Sequence, residues 1–226
     1  MEPIAARIEA ISQSLPKGVT LVAVSKYHTE DAIVQAYQTG QRIFGESHVQ
    51  ELLPKAAHLP DDIEWHFIGH LQTNKVKYIA PFVSLIHSVD SLRLLREIDR
   101  QGARCQRTVD VLLELHVAQE ESKFGLTVEA CRQLLAQGEW KQMKHVRIRG
   151  LMTMASFVDD EQQIAREFAT ANQFWEEAKL RYFADAPWFD TRSWGMSDDY
   201  GIALTEGANM VRIGSAIFGQ RTYPGQ

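Results

Sequence analysis

Cysteine is scarce in this chain, and long apolar runs are missing. The two cysteines, Cys105 and Cys131, stand far apart in neither a metal-binding nor a redox spacing, so reduced thiols are expected. No uninterrupted apolar stretch approaches the roughly 18 residues that mark a membrane helix. The opening Met1-Glu2-Pro3 lacks the basic start and apolar core of a secretory leader, which points to a cytoplasmic protein. Positive charge is also short: 24 Lys and Arg against 29 Asp and Glu leave a net charge of -5. That balance argues against a nucleic-acid footprint, whose surface basic residues would dominate. There is no Gly-rich nucleotide fingerprint, Walker loop or serine nucleophile elbow. Nor is there a Pro/Ser-rich linker, a charge block or a sequence repeat.

What the 226 residues do contain is a regular alternation of strand and helix patterns. Ile4, Ile8, Ile11 and Leu15 recur at helical steps and predict an opening amphipathic helix, ended by Pro16 and Gly18. Strands are predicted at residues 19–26, 42–46, 63–69, 83–88, 109–115, 146–152, 189–194 and 209–213. Helix signals follow each: Thr29 as an N-cap, a capping-box spacing over Ser47-His48-Val49-Gln50, residues 73–80, Asp90 or Ser91 as a cap, and Thr127. A long helix carrying Ile164, Phe168, Ala171, Trp175 and Ala178 comes next, then one opening at Ser197-Asp198-Asp199 and a short one after Gly214. The helix after Ser47 is expected to bury Val49, Leu52, Leu53 and Ala56. Alternating βα units argue for a parallel sheet with helices outside it, and eight of them favour closure into a barrel over an open sheet.

One cation stands out in that frame. The near-continuous apolar run Val19 to Val24 reads as a strand buried on both faces, and Lys26 stands at its carboxyl end. Open sheets and barrels both place their chemistry at that end. By the two-residue alternation Lys26 shares a face with Val24 and Val22, so its amine tops an apolar column. Partial desolvation there favours the neutral amine that Schiff-base chemistry requires; a solvated strand-end lysine is the plain alternative. Lys75, inside a predicted helix, and Lys123, in a polar loop, are the rival amines.

The loops after strands seven and eight, Gly195-Met196-Ser197 and Gly214-Ser215-Ala216, each put a glycine and a hydroxyl at a strand-to-helix turn. Backbone donors there suit an anion such as phosphate, and the serines alternatively serve as helix caps. Asp198 and Asp199 would have to turn away from such an anion. Arg212 lies on the face of Gly214 and either reaches the mouth, toward a ring nitrogen or a carboxylate, or pairs with a buried acid. His66 and His70 are four apart but straddle a strand end, so they make no helical metal pair and read as packing or loop residues.

A family resemblance rests on eight stretches taken in order. They are Ala23-Val24-Ser25-Lys26, Phe44-Gly45-Glu46, the run from Trp65 to Lys75, His87-Ser88-Val89-Asp90, Glu121-Ser122-Lys123-Phe124-Gly125-Leu126, Arg149-Gly150-Leu151-Met152-Thr153, Gly195-Met196-Ser197-Asp198-Asp199, and Val211 to Gly219. Together they resemble the YggS/PROSC family, the pyridoxal phosphate homeostasis proteins. The resemblance implies a single (β/α)8 TIM barrel over residues 1–226, with an extra N-terminal helix, like the N-terminal domain of alanine racemase and other fold-type III proteins. It implies pyridoxal 5'-phosphate as cofactor, held as a Schiff base on Lys26. By the same analogy Ser197, Gly214 and Ser215 would hold the phosphate and Arg212 would face the pyridine nitrogen. Ser47 and His48 depart from the family's usual asparagine and aromatic residue, and Arg192-Ser193-Trp194 replaces small or aliphatic residues, with an expected effect on packing at the ring face.

Family likeness favours a non-catalytic carrier, expected to be a monomer, that takes up pyridoxal phosphate, with PLP-dependent apoenzymes as the partners it would pass it to. The competing class is an amino-acid racemase on the same barrel. Such racemases take a second acid/base tyrosine from an additional domain of a partner subunit, and the short stretch after the eighth strand is expected not to supply one. Tyr27 and His70 are the nearest substitutes by motif position.

Overall fold

The computed structural model describes residues 2–118 and 124–219. Lys123, the rival amine, lies outside the described residues, as does most of the loop that carries it.

Eight parallel strands close in sequence order, with β8 paired to β1. They are β1 (Thr20–Val24), β2 (Ile43–Glu46), β3 (Glu64–Phe67), β4 (Leu85–Val89), β5 (Val109–His116), β6 (Val146–Met154), β7 (Thr191–Ser193) and β8 (Met210–Ile213). Closure settles the choice between barrel and open sheet. Outside run α2 (Glu30–Gln38), α3 (Val49–His58), α4 (Val76–Ile79), α5 (Leu92–Arg104), α6 (Val128–Gln137), α7 (Glu161–Tyr182), α8 (Tyr200–Thr205) and α9 (Ser215–Phe218). The extra helix α1 (Ile4–Ser14) buries Ile4, Ile8 and Ile11 and packs beside α2 and α9.

Parallel strands clothed by helices bury both faces, which is why their sequences are nearly all apolar. Alternation then sorts the side chains. Val22, Leu85, Leu112, Met152 and Met210 form a small cluster inside the barrel, while Ala23, Phe44, Phe67, Ile86, Leu113 and Leu151 join the larger layer between strands and helices. Pairing of β5 with β6 slips by one residue between Val111 and Leu112, opposite Ile148 and Gly150. Gly150 is needed there because a methyl group on it would lie 1.9 Å from the Thr191 carbonyl oxygen.

Several local expectations are corrected. Ser47 does not cap α3: it is still leaving β2, with its carbonyl oxygen 2.3 Å from where a Gly69 side chain would sit, and His48 takes the cap position without a side-chain bond. The buried face of α3 carries Val49, Leu52 and Lys55, while Leu53 is exposed, because a carboxylate draws Lys55 inward. β7 has three residues instead of six, and α8 begins at Tyr200 after an Asp199 cap residue. Thr29, Ser91 and Thr127 do cap their helices through their hydroxyls.

Candidate functional site

A cavity of about 340 Å³ opens at the carboxyl ends of β1, β6, β7 and β8. Lys26, Ser197, Arg212, Gly214 and Ser215 all line it. Pockets of this size suit a small cofactor. Val24, Ile68, Met154 and Met196 supply apolar wall, and the exposed Phe157 stands at the rim.

Lys26 lies two residues beyond Val24, the last of β1, and keeps the inward parity of Val22 and Val24. Ser25 between them turns outward, and its hydroxyl donates to Glu46 Oε1 at 2.6 Å. Lys75 sits instead in a 3-10 turn near the Tyr78 ring, away from this cavity.

The two glycine–serine loops meet each other. The Ser197 hydroxyl accepts from the backbone N–H of Gly214 at 3.3 Å and of Ala216 at 3.4 Å. It therefore does not cap α8, and Ser215, the first residue of α9, makes no cap bond either. The donors at the start of α9 already hold an oxygen, which is what an anion would offer them. Asp199 turns back into its loop, where Oδ1 accepts from the Met196 N–H at 2.5 Å, and Asp198 is exposed. Burial raises the Asp199 pKa; the Met196 N–H and Arg212 oppose the shift.

Arg212 forms the buried floor. Its Nη1 donates to the Ser193 carbonyl at 2.6 Å and hydroxyl at 2.8 Å, and Nη2 donates to the Thr153 carbonyl at 2.9 Å. No carboxylate forms an ion pair with it among the described residues. Burial lowers its pKa to about 10, with Asp199 and Glu114 opposing, so it stays cationic at neutral pH.

A polar chain missed in the sequence runs from Arg212 into the barrel. The Ser193 hydroxyl, which accepts from Arg212 Nη1, also shares a hydrogen bond with His87 Nδ1 at 3.1 Å. His87 Nε2 and His66 Nδ1 share the next hydrogen bond, at 3.0 Å. Burial pushes His66 down to about 3 and His87 well below its ordinary value, so both rings are neutral at physiological pH. Glu114, with an inward position two after Leu112, is buried and its Oε2 has no hydrogen-bond partner. Burial and the charge of Asp90 raise its pKa to about 7 against the pull of Arg212. The available signal was parity: His66, His87, Glu114 and Ser193 occupy inward positions of buried strands.

The residues that depart from the family pattern lie off the cavity. Ser47 and His48 border a separate depression, where the His48 ring lies 5.4 Å from the Tyr27 ring. Arg192 reaches Asn172 and Trp175 on the outer side, and Trp194 is buried in the outer layer, so Ser193 alone of the three faces inward. His70 stacks on Phe124 and faces Asp90, apart from His66. Among the described residues no group of His, Cys, Asp or Glu could hold a metal. Both cysteines are free, and burial drives the Cys131 thiol up to about 12. No described helix is long and apolar enough to cross a membrane.

A closed parallel barrel with an amine, a buried guanidinium and oxygen-seeking backbone donors at one mouth defines a class, (β/α)8 barrels of the alanine racemase type. The family model of the alanine racemase N-terminal domain matches residues 1–222. Alanine racemase of Clostridium difficile shares the fold, with a TM-score of 0.74 at 12% identity over 99% of this chain and 57% of that one. Two curated proteins named pyridoxal phosphate homeostasis protein are each 37% identical: that of Aquifex aeolicus over 90% of this chain and 87% of its own length, that of Escherichia coli K12 over 92% and 88%. PipY of Synechococcus elongatus, solved without PLP, superposes with a TM-score of 0.88 at 37% identity, over 96% of this chain and 100% of its own. The same protein with PLP bound gives 0.85 at 36% identity, over the same shares. This chain belongs to the pyridoxal phosphate homeostasis protein family.

Proposed function

We propose that the protein binds pyridoxal 5'-phosphate in the mouth cavity, holds it as a Schiff base on Lys26, and serves its homeostasis in the cytoplasm as a non-catalytic, monomeric carrier. The observation that carries this reading is the meeting of Lys26, Arg212 and both glycine–serine loops around one cavity. Bound there, the cofactor would supply an aldehyde that captures amines reversibly. Lys26 would supply the amine, with Val22 and Val24 beneath it limiting hydration of the ammonium form. Gly214 and Ala216 N–H, exchanging the Ser197 oxygen for a phosphate oxygen, would hold the phosphate together with the Ser197 and Ser215 hydroxyls by charge-assisted bonds. Arg212 has five N–H donors and three are engaged by the barrel, which leaves two for the pyridine nitrogen.

The carrier role draws on the names of the relatives and on the placing of the two substitute bases. Neither Tyr27 nor His70 lines the Lys26 cavity. A racemase needs a proton-transfer group on each face of the substrate carbon. Release to apoenzymes would use the open mouth.

Purified protein should be yellow, or turn yellow with pyridoxal phosphate, and borohydride should fix the cofactor on the peptide containing Lys26. Labelling of Lys75 or Lys123 with Lys26 unmodified would overturn the assignment. Racemisation of alanine at ~1 s⁻¹ or faster, an ordinary enzyme rate, would overturn the carrier role.

A further inference from the structure

We propose that Lys55, with Glu46 and Glu51, is a positioning residue for Lys26, and that it tunes capture of the aldehyde without touching ring or phosphate. The inference rests on the cofactor reading above. Lys55 lies on α3 outside the barrel and is only 5% exposed. Its Nζ donates to Glu46 Oε1 at 2.7 Å and to the Ser25 carbonyl at 3.0 Å. Ser25 directly precedes Lys26. On the other side of Lys26, the Tyr27 N–H donates to Glu51 Oε1 at 2.9 Å. Both neighbours of the reactive lysine are thus gripped by charged side chains from β2 and α3, behind the cavity.

The grip has something to hold. Tyr27 has a φ of 65°, a conformation that a bulky residue leaves unless its surroundings fix it. The last ladder bond before the turn is from Ser25 N–H to the Gly45 carbonyl. Beyond it the chain leaves the ladder in a turn around Lys26 and Tyr27, closed by the His28 N–H donating to the same Ser25 carbonyl at 3.1 Å that Lys55 holds. Drawing the Ser25 hydroxyl outward to Glu46 sends the next side chain inward, by the alternation of an extended chain. A buried ion pair is weak support for stability compared with apolar packing, so its placement against the lysine turn calls for another role. Glu46 Oε2 has no partner and burial raises the carboxyl pKa, with Lys55 and Ser25 opposing. Lys55 and the Ser25 hydroxyl both bond Glu46 Oε1, so the carboxyl ties Lys55 to the residue before Lys26.

In the covalent step Lys26 Nζ forms a C=N bond to the aldehyde carbon and gives its two protons to the aldehyde oxygen, which leaves as water. A misplaced amine loses this step while phosphate and ring contacts persist. The test compares pyridoxal phosphate with pyridoxine 5'-phosphate, which has an alcohol in place of the aldehyde. Lys55→Met should weaken pyridoxal phosphate binding about tenfold and slow its borohydride-trapped attachment to Lys26, with pyridoxine 5'-phosphate affinity unchanged within about twofold. Lys55→Arg should recover most of the loss. Equal losses for both ligands, or none for either, would overturn the proposal. If Lys55→Met does not fold, Glu51→Ala, which frees the Tyr27 N–H at a part-exposed site, should show the same selective loss, and its absence is equally fatal. Wild-type protein that binds pyridoxal phosphate but attaches none to Lys26 sinks the cofactor reading and this one together. Normal wild-type attachment with an indifferent variant sinks this one alone.

Discussion

Replacing Glu114 with glutamine should stabilise the protein, and by an amount that depends on pH in a defined direction. The carboxyl is buried at the inner face of β5 with Oε2 unpartnered, and its pKa is about 7 against 4.5 for an ordinary glutamate. Below pH 4.5 it is protonated in both folded and unfolded chains, and ionisation has no effect on stability. As pH rises toward 7 the unfolded chain releases its proton first, so the folded state loses ground until both forms are ionised. The gap of about 2.5 pH units corresponds to a penalty of about 3 kcal/mol above pH 7 and less than about 1 kcal/mol at pH 5. Glutamine keeps the shape and carries no charge at any pH, so Glu114→Gln should recover those amounts. Urea unfolding of both proteins at pH 5, 6, 7 and 8 measures the effect directly. The midpoint difference should grow from small at pH 5 to about 1 M at pH 8. Equal stability at pH 8, or a difference that does not change with pH, would refute the account of this buried acid.

Three further outcomes are expected. His66 has a folded pKa near 3, so the unfolded chain binds its proton first as pH falls from 6.5. Stability should then drop by up to about 1.4 kcal/mol per pH unit from this ring; a ring resonance in the folded protein titrating near 6.5 would contradict this. Ser215→Ala and Ser197→Ala should each weaken pyridoxal phosphate binding by about 1–3 kcal/mol. Ser215, exposed and bonding to nothing as a cap, should lose affinity with no change in melting temperature, whereas unchanged affinity would remove it from the phosphate site. Gly195 has a φ of +97° and a methyl there would come 2.7 Å from the Ala203 side chain, so Gly195→Ala should lower stability by about 1–3 kcal/mol. An unchanged thermal melt would show that the β7–α8 turn relaxes at no expense.

Parity and periodicity carry much of this molecule in the sequence alone. Short apolar runs separated by helix-period segments determine the βα alternation, because a parallel strand buried on both faces tolerates little else. Lys26, Arg212 and the two glycine–serine turns were legible for the same reason: each sits at the carboxyl end of such a run, and the fold directs those ends to one mouth. Only closure of the barrel decided the rest. Ser197 and Ser215 look alike as helix-start serines, and it took the approach of two loops to make one a receiver of the other's backbone donors. His66, His87, Ser193 and Arg212 are separated by up to 106 residues per hydrogen bond and meet only because β3, β4, β7 and β8 enclose one interior. Lys55 on the buried side of α3 contradicts the local hydrophobic pattern, since its place is set by a carboxylate nine residues away on another element. Periodicity encodes which way a side chain faces. What it meets there is a property of non-local packing, and that is where the partners of the reactive lysine were decided.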